Sequence, residues 1–216
     1  MLQPRYLLHT GEGDRFGEAV HHIDVYAFDS LGIYRKMFRD KGAHLKNGYR
    51  MPIDLPEGKW SFLCLGGKVG DYEIGIFKTG IPQQFSPAVS PGITTLSDFR
   101  VKAYFEQKEN LEYSFGELFF GRLDSVEITA DNGGTGVVDL MKNTNKIEVR
   151  VKGIADGSSA RITSDNGRFN SENVRRPMPV RLYMFLIIAH LKRMIPVFSS
   201  LMYCACILTG ICSLNC

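Results

Sequence analysis

Residues 49–68 read YRMPIDLPEGKWSFLCLGGK, and their alternation decides the class of fold. Successive side chains of a strand point to opposite faces. Tyr49, Met51, Ile53 and Leu55 therefore share one face, and Arg50, Pro52 and Asp54 the other. Pro52 has no N–H to give a ladder, which predicts an edge strand or a bulge for this half. Pro56, Glu57 and Gly58 then reverse the chain, Pro56 fixing φ and Gly58 accepting a positive one. Residues 59–65 return with Trp60, Phe62 and Cys64 on one side and Ser61, Leu63 and Leu65 on the other. A strand apolar on both sides is covered on both sides, hence central in its sheet.

The same grammar runs outward along the chain. Residues 23–28 (IDVYAF) end at an Asp29, Ser30, Leu31, Gly32 turn, and residues 33–38 (IYRKMF) follow. Two further runs, 71–77 and 99–105, are separated by a Pro/Gly/Ser-rich loop over 78–97. In the second, Phe99, Val101, Ala103 and Phe105 face one way, and Arg100 and Lys102 the other. Residues 124–140 read as a hairpin around Asp131, Asn132, Gly133 and Gly134. In 146–153, Ile147, Val149 and Val151 point inward and Lys146, Glu148, Arg150 and Lys152 outward; residues 160–164 are a last short strand. Helical character is confined to a turn near 14–21. About eight short strands at this spacing predict an all-β protein, an antiparallel β-sandwich.

Composition narrows the function classes. The 216 residues are 44% hydrophobic and 23% charged, enough to bury a core. The net charge of +3 belongs to the end of the chain. After Glu172 come Arg175, Arg176, Arg181, Lys192 and Arg193 with no acid, so residues 1–172 carry 21 cations against 23 acids. No general nucleic-acid signature is present. Cys64 stands alone in the body as a small buried hydrophobe, whereas Cys204, Cys206, Cys212 and Cys216 crowd the tail. The first twenty residues lack the apolar run and cleavage site of a signal peptide.

Chemical motifs miss their patterns. GEGDRFG, residues 11–17, has its third glycine one place late for a dinucleotide loop and no strand before it. LGGKVGD, residues 65–71, has Phe62 and Val69 where a phosphate loop needs Gly and Ser or Thr. His21 and His22 are adjacent, so on a strand they diverge; with His9 and His44 they show no ligand spacing. Asp29 and Asp71 sit at strand ends, where Asp shapes turns. Arg35, Lys36, Arg39, Lys41, Lys46 and Arg50, beside Tyr34, Phe38 and Tyr49, fit a single-strand binder on paper, and fit better a solvated sheet face with cross-strand pairs. No catalytic, cofactor-binding or metal-ligating residue is assigned, no cofactor is called for, and the chain is read as a non-enzyme without nucleic-acid or small-molecule partners.

Four segments together resemble a family: VYAFDSLGIY, NGYRMPIDLPEGKWSFLCLGGK, LFFGRLDSVEIT and VDLMKNTNKIEVRVKG. They are similar to the fimbrillin-A-associated anchor proteins, the FimB-like minor subunits of Bacteroidetes fimbriae. The resemblance covers residues 5–170 and rests on Phe28 and Asp29 with Gly32, on Gly48, Tyr49 and Arg50, on Leu55, Pro56 and Gly58, and on Asp139, Leu140, Lys142, Thr144 and Asn145. It implies a transthyretin-like sandwich, the first of two such domains, in an outer-membrane lipoprotein that tethers a fimbrial shaft. It also implies assembly with the shaft subunit by β-strand addition, in which main-chain hydrogen bonds hold a donated strand. Such a protein needs sheet edges and an apolar groove rather than reactive groups. The alternative is an extracellular sandwich module, an adhesin that binds glycan or protein without polymerising.

The chain departs from that family in lacking the signal peptide, the lipid-bearing cysteine and the second domain. Domain boundaries are accordingly read as a sandwich over 1–170 and a non-family hydrophobic tail over 171–216. Residues 195–214 carry no charge and, as a helix, would span about 30 Å, the thickness of a bilayer core. Lys192 and Arg193 before that run would then hold the sandwich on the cytoplasmic side. The missing acids and clustered cysteines favour a truncated or out-of-frame reading over a transmembrane segment or a buried helical element.

Overall fold

The computed structural model describes residues 1–7, 13–78, 84–103, 116–131, 134–149, 159–164, 168–173, 175–176, 182–187, 202–206 and 214–215. Its strands are β1 (Leu2–Tyr6), β2 (His22–Phe28), β3 (Tyr34–Lys41), β4 (Gly58–Gly67), β5 (Tyr72–Lys78), β6 (Gln84–Ser86), β7 (Phe99–Ala103), β8 (Leu118–Ile128) and β9 (Gly136–Lys142). Then come β10 (Asn145–Val149), β11 (Ser159–Ser164), β12 (Arg168–Asn170), β13 (Arg175–Arg176), β14 (Leu182–Ile187), β15 (Met202–Cys206) and β16 (Leu214–Asn215). One helical turn, α1 (Phe16–Ala19), lies where the sequence hints at it. The architecture is all-β, as expected.

Six strands form the larger sheet in the order β1-β9-β8-β4-β2-β3, and five form a second in the order β13-β12-β7-β5-β6. Every pairing is antiparallel except β1 with β9, which is parallel. Strand β4 explains the stacking. Its Trp60, Phe62 and Cys64 enter a first core with Ile23, Val25 and Ala27 of β2, Phe119 of β8, and Val138 and Leu140 of β9. Leu2 and Tyr6 of β1 join them, and Phe16, Val20, Leu45 and Met51 cover them. The opposite face of β4, Leu63 and Leu65, enters a second core with Tyr26, Phe28, Leu118 and Phe120 against Tyr72, Phe99, Val101, Ala103 and Phe169 of the second sheet. The central position read from the two-sided apolar run is therefore what the larger sheet has. Full burial of a Val, Leu, Ile, Phe or Met side chain among them contributes about 1.5–3 kcal/mol.

The stretch before it corrects the sequence reading. Residues 52–57 form no strand. Met51 exchanges main-chain hydrogen bonds with Leu2 alone, at 2.9 and 2.8 Å. Ile53 and Leu55 still pack on the first core while Pro52, Asp54 and Pro56 face solvent, so the assignment of faces holds and the ladder does not. Two prolines within five residues remove the donors a ladder would use. Beyond Gly58 the chain turns as expected, with Trp60 Nε1 donating to Pro56 O at 3.0 Å.

The 124–140 hairpin is present as β8 and β9; Asn132 and Gly133 at its tip lie outside the described residues, as do Phe105 and the side chains of 145–152. In the tail, β15 pairs with β10, and β14 and β16 flank β11. Of the 195–214 run only 202–206 and Leu214 are described, and both are extended. Among the described residues no helix is long and apolar enough to cross a membrane.

Candidate assembly surface

A sandwich that recruits another chain does so through loops, faces or edges, and edges are where main-chain groups lie unpaired. The larger sheet ends in β1 and β3. The outer side of β1 is bonded at both ends and lacks a donor in the middle. Leu2 is bonded to Met51, Pro4 has no N–H, and Tyr6 donates to Asp14 Oδ1 (3.0 Å) and accepts from Arg15 N–H (2.8 Å). Asp14 also takes N–H groups from Phe16 (2.9 Å) and Gly48 (3.3 Å), tying β1, α1 and the 42–51 segment together.

Strand β3 is closed only at its start, where Tyr34 donates to Thr94 O and accepts from Gly92 N–H, both at 2.8 Å. At the far end Gly42 N–H donates to His21 O (3.0 Å), and at the near end Asp29 N–H donates to Ile33 O (3.0 Å). Directly bonded and non-bonded pairs alternate along an antiparallel ladder. With His22 opposite Lys41 and Ala27 opposite Lys36, the odd residues of β2 reach β3. The main-chain groups of Met37, Arg39 and Lys41 consequently point away from the sheet. Lys41 N–H is taken by the Asp40 carboxylate (2.8 Å); those of Met37 and Arg39 have no partner among the described residues. The second sheet ends in β6 and β13, of three and two residues.

Of the cations along this edge, Arg39 makes a cross-strand pair, Arg35 and Lys36 pair outside the ladder, and the rest are solvated. Asp24 on β2 is fully buried, and Arg39 grips it with Nε (2.6 Å) and Nη2 (2.7 Å) while His22 Nε2 lies 2.8 Å from Oδ1. Those bonds raise the Arg39 guanidinium above its ordinary pKa. Burial, then the nearby Asp24 charge, pushes the Tyr26 hydroxyl up. Arg35 pairs with Asp29 (2.6 Å) and Lys36 with Asp54 (3.4 Å). Asp40 accepts from Tyr49 OH (2.5 Å) and lies 2.9 Å from His44 Nε2, contacts that hold its carboxyl below the usual carboxylate range. Lys41, Lys46 and Arg50 have no carboxylate partner among the described residues.

Asp29 does shape a turn. Its Oδ1 takes N–H groups from Leu31 (3.0 Å) and Ile33 (2.9 Å), and Gly32 holds φ +72°. Burial opposes ionisation there, but those donors and Arg35 outweigh it and lower the Asp29 pKa. The turn leaves Leu31 81% exposed beside Ile93 at 73% on the neighbouring 90–95 turn. Asp71 closes the opposite end, accepting Gly116 N–H at 2.7 Å.

The segment Asp139 to Thr144 locks four elements. Asp139 pairs with Arg5 of β1, and Lys142 with Glu117. Thr144 Oγ1 accepts Leu118 N–H (3.3 Å), and Asn143 exchanges amide bonds with Asn173 at 2.6 and 3.1 Å. Sequence reasoning missed the Asp24–Arg39 and Asn143–Asn173 pairs: partners fifteen and thirty positions apart leave no spacing signal.

Reactive groups do not converge in the described part of the molecule. Burial pushes the Cys64 thiol up, away from nucleophilic use. His22 and His44 each face an Asp rather than one another, His21 is exposed, and His9 lies outside the described residues. Among the described residues no three His, Cys, Asp or Glu cluster. A surface cavity of about 270 Å³ is lined by Met1, Gln3, Arg50, Thr135, Gly136 and Val137, with a single cationic side chain and no acid or nucleophile.

Family comparison agrees with a body built for contact. The profile of the fimbrillin-A associated anchor proteins Mfa1 and Mfa2 matches residues 1–179. The chain belongs to this anchor family. Similar folds occur in the fimbrial anchor protein Mfa2 from Porphyromonas gingivalis (15% identity, 99% of this chain and 74% of that one, TM-score 0.67). They occur also in a candidate adhesin from Bacteroides thetaiotaomicron (24%, 85% and 60%, TM-score 0.64) and in a candidate polysaccharide-binding protein from the same species (17%, 100% and 70%, TM-score 0.69). The chain thus spans about six- to seven-tenths of these relatives. A search of curated proteins finds no match. As a member of the anchor family the chain is a structural, non-enzymatic protein with a fimbrial role at the cell surface, working through contacts with fimbrial subunits.

Proposed function

We propose that the chain is a fimbrial anchor or minor subunit that tethers a shaft to the outer membrane and joins the shaft subunit by β-strand addition. The observation that carries this reading is the contrast between the two ends of the larger sheet, one bonded at Met51 and Asp14 and lacking a donor at Pro4, the other offering main-chain groups. The family supplies the setting. A ligand that binds only the folded state raises its unfolding temperature. Mixing the full chain with purified shaft subunit is expected to raise Tm in a concentration-dependent way; an unchanged Tm together with no complex on gel filtration overturns the anchor reading.

The adhesin alternative draws support from the fold shared with the candidate polysaccharide-binding protein. Against sugar stacking, no Trp, Tyr or Phe is exposed among the residues whose side chains are described. Binding of the chain to a glycan array without any response to the shaft subunit would favour that alternative. For the tail, five cations and no acid after Glu172 support an out-of-frame origin. Resequencing the locus checks it: a one-base shift should recover a second sandwich domain.

A further inference from the structure

The reading of strand addition leaves open which edge accepts the strand and what strand it accepts. The two larger sheets end in four edges, and three of these fail on physical grounds. Strand β1 has the outward groups of Leu2 and Tyr6 bonded and, at Pro4 between them, no N–H to offer an incoming strand. Strands β6 and β13 are too short to hold a partner in register. Among the described residues nothing pairs with the outward groups of Met37 and Arg39, and strand β3 is eight residues long.

The side chains of this edge say what fits. On the face of the second core lie Met37, Arg39 and Lys41; on the face of the first lie Lys36, Phe38 and Asp40. Met37 and Phe38 are half-buried, each packed on its own core and open at the rim. Like charges placed directly opposite one another destabilise a strand pair, and opposite charges stabilise it. A second copy of β3 would set Arg39 against Arg39, or Lys41 near Arg39, so this edge repels itself. An incoming strand with acids beside Lys41 and Arg39 and, next along, an apolar residue beside Phe38 finds two cations on one face and an aromatic ring on the other. Lys41 has no carboxylate partner to give up, and Arg39 Nη1 is outside its grip on Asp24.

We propose that the outer edge of β3, from Met37 to Lys41, is the acceptor for the partner subunit, and that it selects an extended segment in which acids alternate with apolar residues. This rests on the strand-addition reading above. The probes are the purified shaft subunit and two capped eight-residue peptides, one alternating glutamate with valine and one alternating lysine with valine. Amide exchange and titration calorimetry on the full chain read the result. The Met37 and Arg39 amides should exchange freely alone and become protected at least tenfold with the glutamate peptide, and the lysine peptide should leave them unchanged. Met37→Pro removes an outward N–H that β2 does not use, and edge strands tolerate proline there. Lys41→Glu reverses the charge with little effect on packing. Each should weaken binding of the glutamate peptide and of the shaft subunit at least tenfold, and the charge variant covers the case in which the proline variant fails to fold. Shaft binding that survives both variants would overturn the proposal and leave the anchor reading intact. No binding of the shaft subunit to the unaltered chain would overturn both.

Discussion

Arg39 and Asp24 are unequal partners, and the inequality is measurable. Asp24 is wholly buried while half of the Arg39 side chain reaches water. Deleting Arg39 strands a carboxylate inside the protein with only His22 beside it; deleting Asp24 frees a guanidinium that can rehydrate. Arg39→Met should therefore cost about 3 kcal/mol, near the lower end for breaking a buried pair, and Asp24→Asn about half that in urea unfolding. Equal costs would mean that Asp24 is hydrated after all. The Asp29 turn gives a pH test. Its carboxyl titrates below its ordinary value, so the stability it adds is complete above about pH 4 and is lost as pH falls through the lowered value. Asp29→Asn keeps an oxygen for the Leu31 and Ile33 N–H groups and loses only the charge facing Arg35. The Tm gap between the two proteins should narrow steadily as pH drops from about 4 to about 2. At this scale the sequence was only half legible. Asp29 could be placed because a turn is local; Asp24 reads as one polar residue in an apolar strand until β3 lies beside it.

At the scale of single elements, β4 teaches the most. Its two-sided apolar run and its terminal glycines were both readable, and the structure explains the glycines. Gly67 holds φ +90°, and a Cβ there would collide with Glu117 O; at Gly66 a Cβ would come within 2.9 Å of Val20. These are the places where β4 leaves β8 and where α1 presses on the sheet. Gly67→Ala should destabilise by more than about 1 kcal/mol, because the new side chain meets both a positive φ and a backbone oxygen. Thermal unfolding would show it as a Tm drop of several degrees, and an unchanged Tm would mean that this end of β4 yields easily. The neighbouring 49–57 segment shows where alternation misleads. It predicts which residues face the core, as Tyr49, Met51, Ile53 and Leu55 do, but says nothing about whether a neighbouring strand supplies hydrogen bonds. The Asp139 to Thr144 segment was legible as a family signature and not as a mechanism, since its partners on β1, β8 and the turn after β12 are remote in sequence.

For the whole molecule, the charges on β3 have a role in solution besides recruiting a partner. An edge with unpaired main chain is a template for self-pairing, and lysine and arginine blunt it. Replacing Lys36 and Lys41 together by Val should leave the fold intact and drive concentration-dependent association, visible by light scattering at low salt. A monodisperse double variant would show that something other than charge keeps this edge single. The parallel pairing of β1 has a consequence in time. Strand β1 sits against β9, with Leu2 opposite Gly136. A ribosome therefore delivers the first strand long before its neighbour exists, and contacts so distant along the chain form late and slowly. Until then, Leu2 and Tyr6 have no wall to lean on. A newly made chain must wait with β1 lacking that neighbour, which is the interval in which chaperones and proteases have their chance.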